Sequence, residues 1–338
     1  MSLRPFRFFE PASVEEALSL LSEDGTHALA GGSDLLGEMK EGVVAPSTLV
    51  SLAGLEELRG VEVTSDSIRI GAMAPLATLA ASTELRQMYP VLTEAAGGIA
   101  TPQIRNVGTL GGNLCQRPRC FYYRSPLTLC LKKGGDTCLA LAGNSKYLSI
   151  LGGERCYIVH PSDMAVALTA LDAQIGLDGP AGQRSMPLLD FFTGPGSNLK
   201  GENVLQPGEL VASVNLPLPQ DGTRSGYIKA REREAGDFAL VSVAAVLVVA
   251  GNRIDHCRIV LGGVAPYPYR AVAAEACLTG TSVSNVDTVA PEAGKRAVAG
   301  ATPLRDNAYK VDLASNLVKQ VVSRLLSADN GGSDWDEG

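Results

Sequence analysis

The sequence predicts an α+β protein of two or three domains. Its 338 residues, 45% of them hydrophobic, are enough for separate cores. Strand and helix patterns alternate over residues 1–55, whereas beyond residue 223 strand patterns come first and helices follow. The chain opens with "FRFFEP" as a strand. "SVEEALSLLSE" then reads as a helix, with Ser13 as N-cap and Glu16 completing a capping box. "HALAGG" is a strand running into the helix "SDLLGEMKEG". Residues 56–222 form a second segment, with "DSIRIGAMA" as a strand and "PLATLAAS" and "YPVLTEAAGGIA" as helices. It ends at "ELVASVNLPLP", after which "QDGTRSG" reads as a linker. The third segment, 223–328, has strands in "GYIKAREREA", "FALVSVAAVLVVAG" and "HCRIVLGGVA". Its helices fall in "RAVAAEACLTG", "VDTVAPEAGKRAVAG" and "KVDLASNLVKQVVSRLLSAD", and an acidic tail at 329–338 is expected to be disordered.

Composition excludes several classes. The longest apolar run, residues 238–250, is too short to cross a bilayer and reads as a buried strand. A net charge of −7 without a polybasic run argues against nucleic acid as the main partner. The N-terminal stretch lacks the apolar core of a secretory signal, so a cytoplasmic location is expected, with export open only to a chain carried by a signal-bearing partner. Seven cysteines in such a chain point to metal or redox chemistry rather than a disulfide scaffold.

Two glycine loops carry binding chemistry. In "ALAGGSDLL", Gly31 and Gly32 can take positive φ and let backbone approach a ligand, while Ser33 and Asp34 are placed to cap the helix that follows. In "GTLGGNL", Thr109 offers a hydroxyl, and Gly111 and Gly112 permit the same approach. Either alone is more often a plain turn. Together they suit the two phosphates and long body of a dinucleotide.

Five of the seven cysteines lie in residues 115–160. Cys120, Cys130, Cys138 and Cys156 are separated by nine, seven and seventeen residues, and no C-x-x-C occurs. Four thiolates from one long loop can supply an iron-sulfur cluster, and the loop's basic excess would offset the cluster's charge. That excess comprises Arg117, Arg119, Arg124, Lys132, Lys133, Lys146 and Arg155 against Asp136 and Glu154. The rival is a zinc-stabilised docking knob on an interaction protein. Cys115, inside the second glycine turn, reads as a buried small hydrophobe, as do Cys257 and Cys277, and His160 is set aside as structural.

In order along the chain, "FEPASVEEALSLL", "ALAGGSDLL", "TPQIRNVGTLGGNL", "HPSDMAVALTALDA", "GELVASVNLP", "YIKARERE" and "PLRDNAYKVDL" resemble the FAD-binding medium subunits of molybdenum hydroxylases, the xanthine dehydrogenase and aldehyde oxidoreductase family. The cysteine insertion is similar to that of the beta subunit of 4-hydroxybenzoyl-CoA reductase and of bacterial FAD/4Fe-4S aldehyde oxidoreductases. The resemblance implies a two-subdomain FAD-binding fold of the vanillyl-alcohol oxidase (PCMH-type) class followed by a C-terminal α+β domain. It implies FAD contacts at Leu29, Ala30, Gly31, Gly32, Ser33, Asp34 and Leu35, at Ile99, Ala100 and Thr101, at Thr109, Gly112 and Asn113, and at Asp163, with Val211 and Lys229 near the flavin ring. It further implies a 4Fe-4S cluster on Cys120, Cys130, Cys138 and Cys156. The implied partners are a large subunit with the molybdenum cofactor and a small subunit with two 2Fe-2S clusters. Ferredoxin or NAD would be the external electron partner. The chain itself would carry electrons and not transform the organic substrate. "PLRDNAYKVDL" and the cysteine spacing favour an aldehyde or aromatic/heterocycle dehydrogenase over the CoA-ester reductase.

Overall fold

The computed structural model describes residues 3–327, so the acidic tail expected at 329–338 lies outside the described residues. The first segment contains β1 (Arg7–Phe9), α1 (Val14–Leu21), β2 (Thr26–Leu29), α2 (Leu35–Glu41) and β3 (Thr48–Ser51). Its strands form a parallel sheet in the order β1-β3-β2. Val14, Ala17 and Leu21 recur at helical spacing on α1 and pack with Val50 and Leu52. The Ser13 hydroxyl accepts from Glu16 N, but the Glu16 carboxylate reaches Ala12 N, one residue before the expected partner.

The second segment begins with β4 (Val61–Val63) and β5 (Ser67–Gly71). Five short helices follow: α3 (Leu76–Ala81), α4 (Thr83–Met88), α5 (Pro90–Gly97), α6 (Pro102–Val107) and α7 (Leu110–Leu114). The cysteine insertion contributes α8 (Phe121–Arg124) and two 3-10 turns, Leu131–Lys133 and Leu139–Leu141. The segment closes with α9 (Asp163–Ala170), β6 (Gln174–Gly179), β7 (Gly182–Pro187), α10 (Leu188–Phe191) and β8 (Leu210–Pro217). The sheet is antiparallel, in the order β4-β5-β8-β6-β7.

The third segment contains β9 (Thr223–Ala230), β10 (Val241–Ala250), β11 (Arg253–Gly262) and β12 (Tyr269–Arg270), then α11 (Val272–Leu278), α12 (Val286–Ala297) and α13 (Tyr309–Ser327). Its antiparallel sheet runs β12-β11-β10-β9. Because β9 begins at Thr223, the expected linker "QDGTRSG" shrinks to the turn before that strand. The apolar run of β10 is explained by burial on both faces. Val241, Val243, Ala245 and Leu247 meet α13, while Ala244 and Val246 join the core around α9. α9 is buried at all eight positions, as expected of a helix enclosed between layers. Among the described residues no helix is long and apolar enough to cross a membrane.

Candidate functional site

The two glycine loops meet. A Cβ on Gly31 would lie 1.9 Å from the carbonyl oxygen of Val107, so only glycine lets the backbone before α2 touch the backbone before α7. Gly32 has φ +72°, the left-handed region that glycine adopts freely. On the other side the Thr109 hydroxyl accepts from Gly112 N at 3.2 Å and starts α7. Gly111 N donates to Ala72 O, where a side chain would strike Ala72. Between the loops lies a cavity of about 490 Å³.

The predicted residues Ala30 to Leu35, Ile99, Ala100, Thr109, Gly112, Asn113, Asp163 and Lys229 line this cavity. Ala100 has φ +42°, a strained conformation for a non-glycine residue. Asn113 is fixed by the Ser162 hydroxyl, which donates to its Oδ1 at 2.6 Å while accepting from Ala165 N to cap α9. That cap places Asp163 at the cavity wall. Lys229 Nζ lies 2.6 Å from Asp163 Oδ2 and also donates to Gly98 O, and the Tyr227 hydroxyl donates to Asp163 Oδ1. Burial, together with the Asp163 charge, drives the Tyr227 hydroxyl well above its ordinary pKa, so it stays a donor.

Three predicted positions fall elsewhere. Val211 faces the core from β8, packed with Val214 and Leu216 and away from the cavity. Leu29 ends β2, with its side chain toward Gly32. The Thr101 hydroxyl accepts from Ile104 N and caps α6. Asp34 is at the cavity but in a different role. It makes no side-chain cap, and its carboxylate instead accepts from Arg117 N, Arg119 and Arg124 of the cysteine insertion. Glu38, one turn on, accepts from the Tyr123 hydroxyl at 2.8 Å, and Glu41 takes Arg124. Burial raises the Glu38 carboxyl above its ordinary pKa. One acidic face of α2 therefore anchors the front half of the insertion.

Cys120, Cys130, Cys138 and Cys156 approach one another in pairs. Cys138 and Cys156 share a thiol hydrogen bond, and Cys120 lies within electrostatic reach of Cys130 and Cys138. The bond from Cys156 lowers the Cys138 thiol below its ordinary pKa, because a neighbouring S–H stabilises the thiolate. Main-chain amides of Tyr122 and Tyr123 also point at Cys120, those of Tyr157 and Ala140 at Cys138, and that of Ile158 at Cys156. Among the described residues no group of three or more His, Cys, Asp or Glu is arranged to hold a metal ion. Cys115 stands apart and lines the glycine-loop cavity, where burial pushes its thiol up to about 12. Five of the seven basic residues that the sequence offered as charge balance already face carboxylates. Arg117 and Lys132 pair with Glu202, Arg119 and Arg124 with Asp34, and Lys146 with Glu232.

Residues 4–219 match the family described as the FAD binding domain in molybdopterin dehydrogenase, and residues 226–325 match the CO dehydrogenase flavoprotein C-terminal domain. The chain belongs to the FAD-binding subunits of the molybdenum hydroxylases. The aldehyde oxidoreductase FAD-binding subunit PaoB of Escherichia coli strain K12 is 39% identical, covering 92% of this chain and 94% of that protein. The carbon monoxide dehydrogenase medium chain of Hydrogenophaga pseudoflava is 30% identical, covering 96% of each. A solved carbon monoxide dehydrogenase from Hydrogenophaga pseudoflava superposes with a TM-score of 0.76 at 29% identity, covering 97% of this chain and 99% of that one. A quinoline 2-oxidoreductase from Pseudomonas putida 86 does so with 0.75 at 25%, covering the same shares. The fold is thus the FAD-binding domain followed by the flavoprotein C-terminal domain.

The cavity of this FAD-binding subunit fits a dinucleotide in size, within the roughly 300–1,000 Å³ of small-molecule sites. Its lining fits too, with glycine backbone at one end and a buried Lys229–Asp163 pair at the other. Sequence reasoning missed the far wall. Gly236, Asp237 and Phe238, from the loop joining β9 to β10, line the cavity, and the Arg119 guanidinium sits 4.8 Å over the Phe238 ring. Gly236 turns the loop at φ +84°, but nothing local in the sequence indicated where that turn would fold.

Proposed function

We propose that this FAD-binding subunit passes electrons between FAD in the glycine-loop cavity and a 4Fe-4S cluster on Cys120, Cys130, Cys138 and Cys156. It does so inside a complex with a molybdenum-cofactor large subunit and a small subunit carrying two 2Fe-2S clusters. The observation that carries this reading is the junction at Arg119. This residue precedes Cys120, binds Asp34 of the glycine loop and, with Phe238, walls the cavity, so the cysteines and the cavity share a boundary. When bound, FAD exchanges electrons in pairs or singly, which is the chemistry needed between a two-electron reaction and one-electron clusters.

The chain's own residues set the conditions. Gly31, Gly32 and Ser33 would hold the pyrophosphate, and Thr109, Gly112 and Asn113 the opposite side. Lys229, its charge balanced by Asp163, would present an N–H donor to the polar edge of the ring. Phe238 and Arg119 would exclude water from the side facing Cys120. The small main-chain amides aimed at the sulfurs are the usual means of tuning a cluster's potential. Similarity to the Escherichia coli aldehyde oxidoreductase subunit supports an aldehyde as substrate of the complex.

A zinc clasp would draw the four thiolates onto one ion through Zn–S bonds of about 2.3 Å, whereas cluster thiolates bind separate irons. The test is anaerobic purification with iron, acid-labile sulfide, zinc and FAD measured on one sample. About four iron per chain, with one FAD, is the expected result. FAD with zinc and no iron would overturn the cluster.

A further inference from the structure

The segment leading from α12 into the first turn of α13, residues 302–310, lines neither cofactor position, yet it grips the back half of the cysteine insertion. Asn307 is fully buried and its side-chain amide donates to Leu148 O at 3.1 Å and Ser149 O at 3.0 Å, while Leu304 N donates to its Oδ1. Asp306 Oδ2 accepts from Ser145 N and from the Ser145 hydroxyl. The Tyr309 hydroxyl donates to Lys146 O, and Thr302 N donates to Ile150 O. Leu304 packs in the same cluster as Cys138 and Leu148.

The gripped residues control two of the sulfurs. Residues 145–150 lie between Cys138 and Cys156, the longest gap between neighbouring cysteines of the proposed set. Leu148 touches the Cys138 cluster, and Ser149 N donates to the carbonyl of Tyr157, the residue after Cys156. A shift of Leu148 or Ser149 therefore reaches Cys138 through the shared apolar cluster and Cys156 through the neighbouring Tyr157. Left unanchored, a gap of this length would sample many closures, and four sulfurs would seldom meet.

We propose that Asp306 and Asn307 are positioning residues for the iron-sulfur site, holding Cys138 and Cys156 in register from the C-terminal domain. This rests on the reading of the four cysteines as cluster ligands. It completes a two-sided mount, since the acidic face of α2 fixes the Cys120 half and residues 306–307 fix the other half. Asn307 suits the role because one planar amide presents two donors to adjacent carbonyls and an acceptor to its own turn. Aspartate or leucine at this place offers neither donor.

The experiment compares the full chain in its complex with Asn307→Leu, which keeps volume and removes the donors, and with Tyr309→Phe and Asp306→Asn as milder variants. Iron, sulfide and FAD are quantified, the reduced cluster is recorded by electron paramagnetic resonance, and iron release to a ferrous chelator is timed. Losses around metal ligands typically cost about 10–100-fold in affinity, so Asn307→Leu should release iron about tenfold faster with FAD content unchanged. Tyr309→Phe and Asp306→Asn should move the same way by less, and they carry the test if Asn307→Leu does not fold. Wild-type release rates and an unaltered reduced spectrum in folded, FAD-loaded variants would overturn the proposal. A wild-type chain without iron would instead overturn the cluster reading. In that case deuterium exchange of residues 145–157 separates the two ideas. Faster exchange in Asn307→Leu would leave a loop anchor with no redox role, and unchanged exchange would remove the clamp as well.

Discussion

Replacing Lys310 with methionine should stabilise the protein at neutral pH and destabilise it in alkali. Lys310 is fully buried at the start of α13, and its Nζ donates to Gly263 O at 2.7 Å. Burial lowers its pKa from 10.5 to about 7. In the unfolded chain the amine keeps its ordinary value. Below pH 7 both states are charged, and the folded state carries the full desolvation penalty, about 5 kcal/mol from a shift of this size. Between pH 7 and 10.5 the unfolded chain still binds the proton and the folded chain does not. Stability therefore rises with pH by about 1.4 kcal/mol per unit in that window. Lys310→Met removes this dependence but leaves Gly263 O without its donor, at a cost of about 1–3 kcal/mol. The variant should be more stable by roughly 2–4 kcal/mol at pH 7 and less stable near pH 10, with curves crossing around pH 9. Urea unfolding of the full chain at several pH values, followed by far-ultraviolet circular dichroism, reads this directly. Parallel pH curves for the two proteins would refute the reasoning.

Gly31→Ala should lower FAD occupancy more than tenfold, because the new Cβ would meet Val107 O at 1.9 Å and force the loops apart; full occupancy by released-flavin absorbance would show that the loop contact is dispensable. Asp34→Asn should cost about 3 kcal/mol and reduce FAD and iron together, since the carboxylate bridges the glycine loop and the arginines of the insertion; loss of only one cofactor would contradict that bridge. Cys138→Ser should abolish the cluster signal while FAD stays bound, and retention of four iron per chain would exclude this thiol as a ligand. Asp163→Asn should destabilise by about 3–5 kcal/mol by stranding Lys229, and adding Lys229→Met should recover much of it; additive losses in calorimetry would argue against a coupled pair.

Local patterns carried most of the fold. The spacing of Val14, Ala17 and Leu21 marked α1, and the apolar run of β10 marked a buried strand. Boundaries failed where long-range pairing decided them. Thr223 to Gly226 have the composition of a linker, but they pair with Val248 to Ala245 of β10 and become strand. The glycine loops were legible because glycine is needed wherever backbones touch. Val211 was not, because a strand residue's face depends on the register of β8 with β6, and that register shifts near this position. The role of Asp34 was partly visible in retrospect. Asp34, Glu38 and Glu41 share one helical face, and Arg117, Arg119 and Arg124 lie some eighty residues on, but only the folded chain pairs them. Capping, the common use of an aspartate before a helix, lost to three stronger donors.

The shared burial of β10 bears on how the gene can be cut. Ala244, Val246 and Val260 belong to the hydrophobic cluster built mainly by residues 68–216, although they lie in the C-terminal third of the sequence. Two family signatures meet between residues 219 and 226, which looks like a seam for truncation or domain exchange. Physically it is no seam. A fragment ending there would leave one side of α9 facing water, and a graft from a relative would have to match side-chain volumes across that contact. Recombinants in this family should succeed when the partners of α9 are exchanged as a set, and aggregate when they are not.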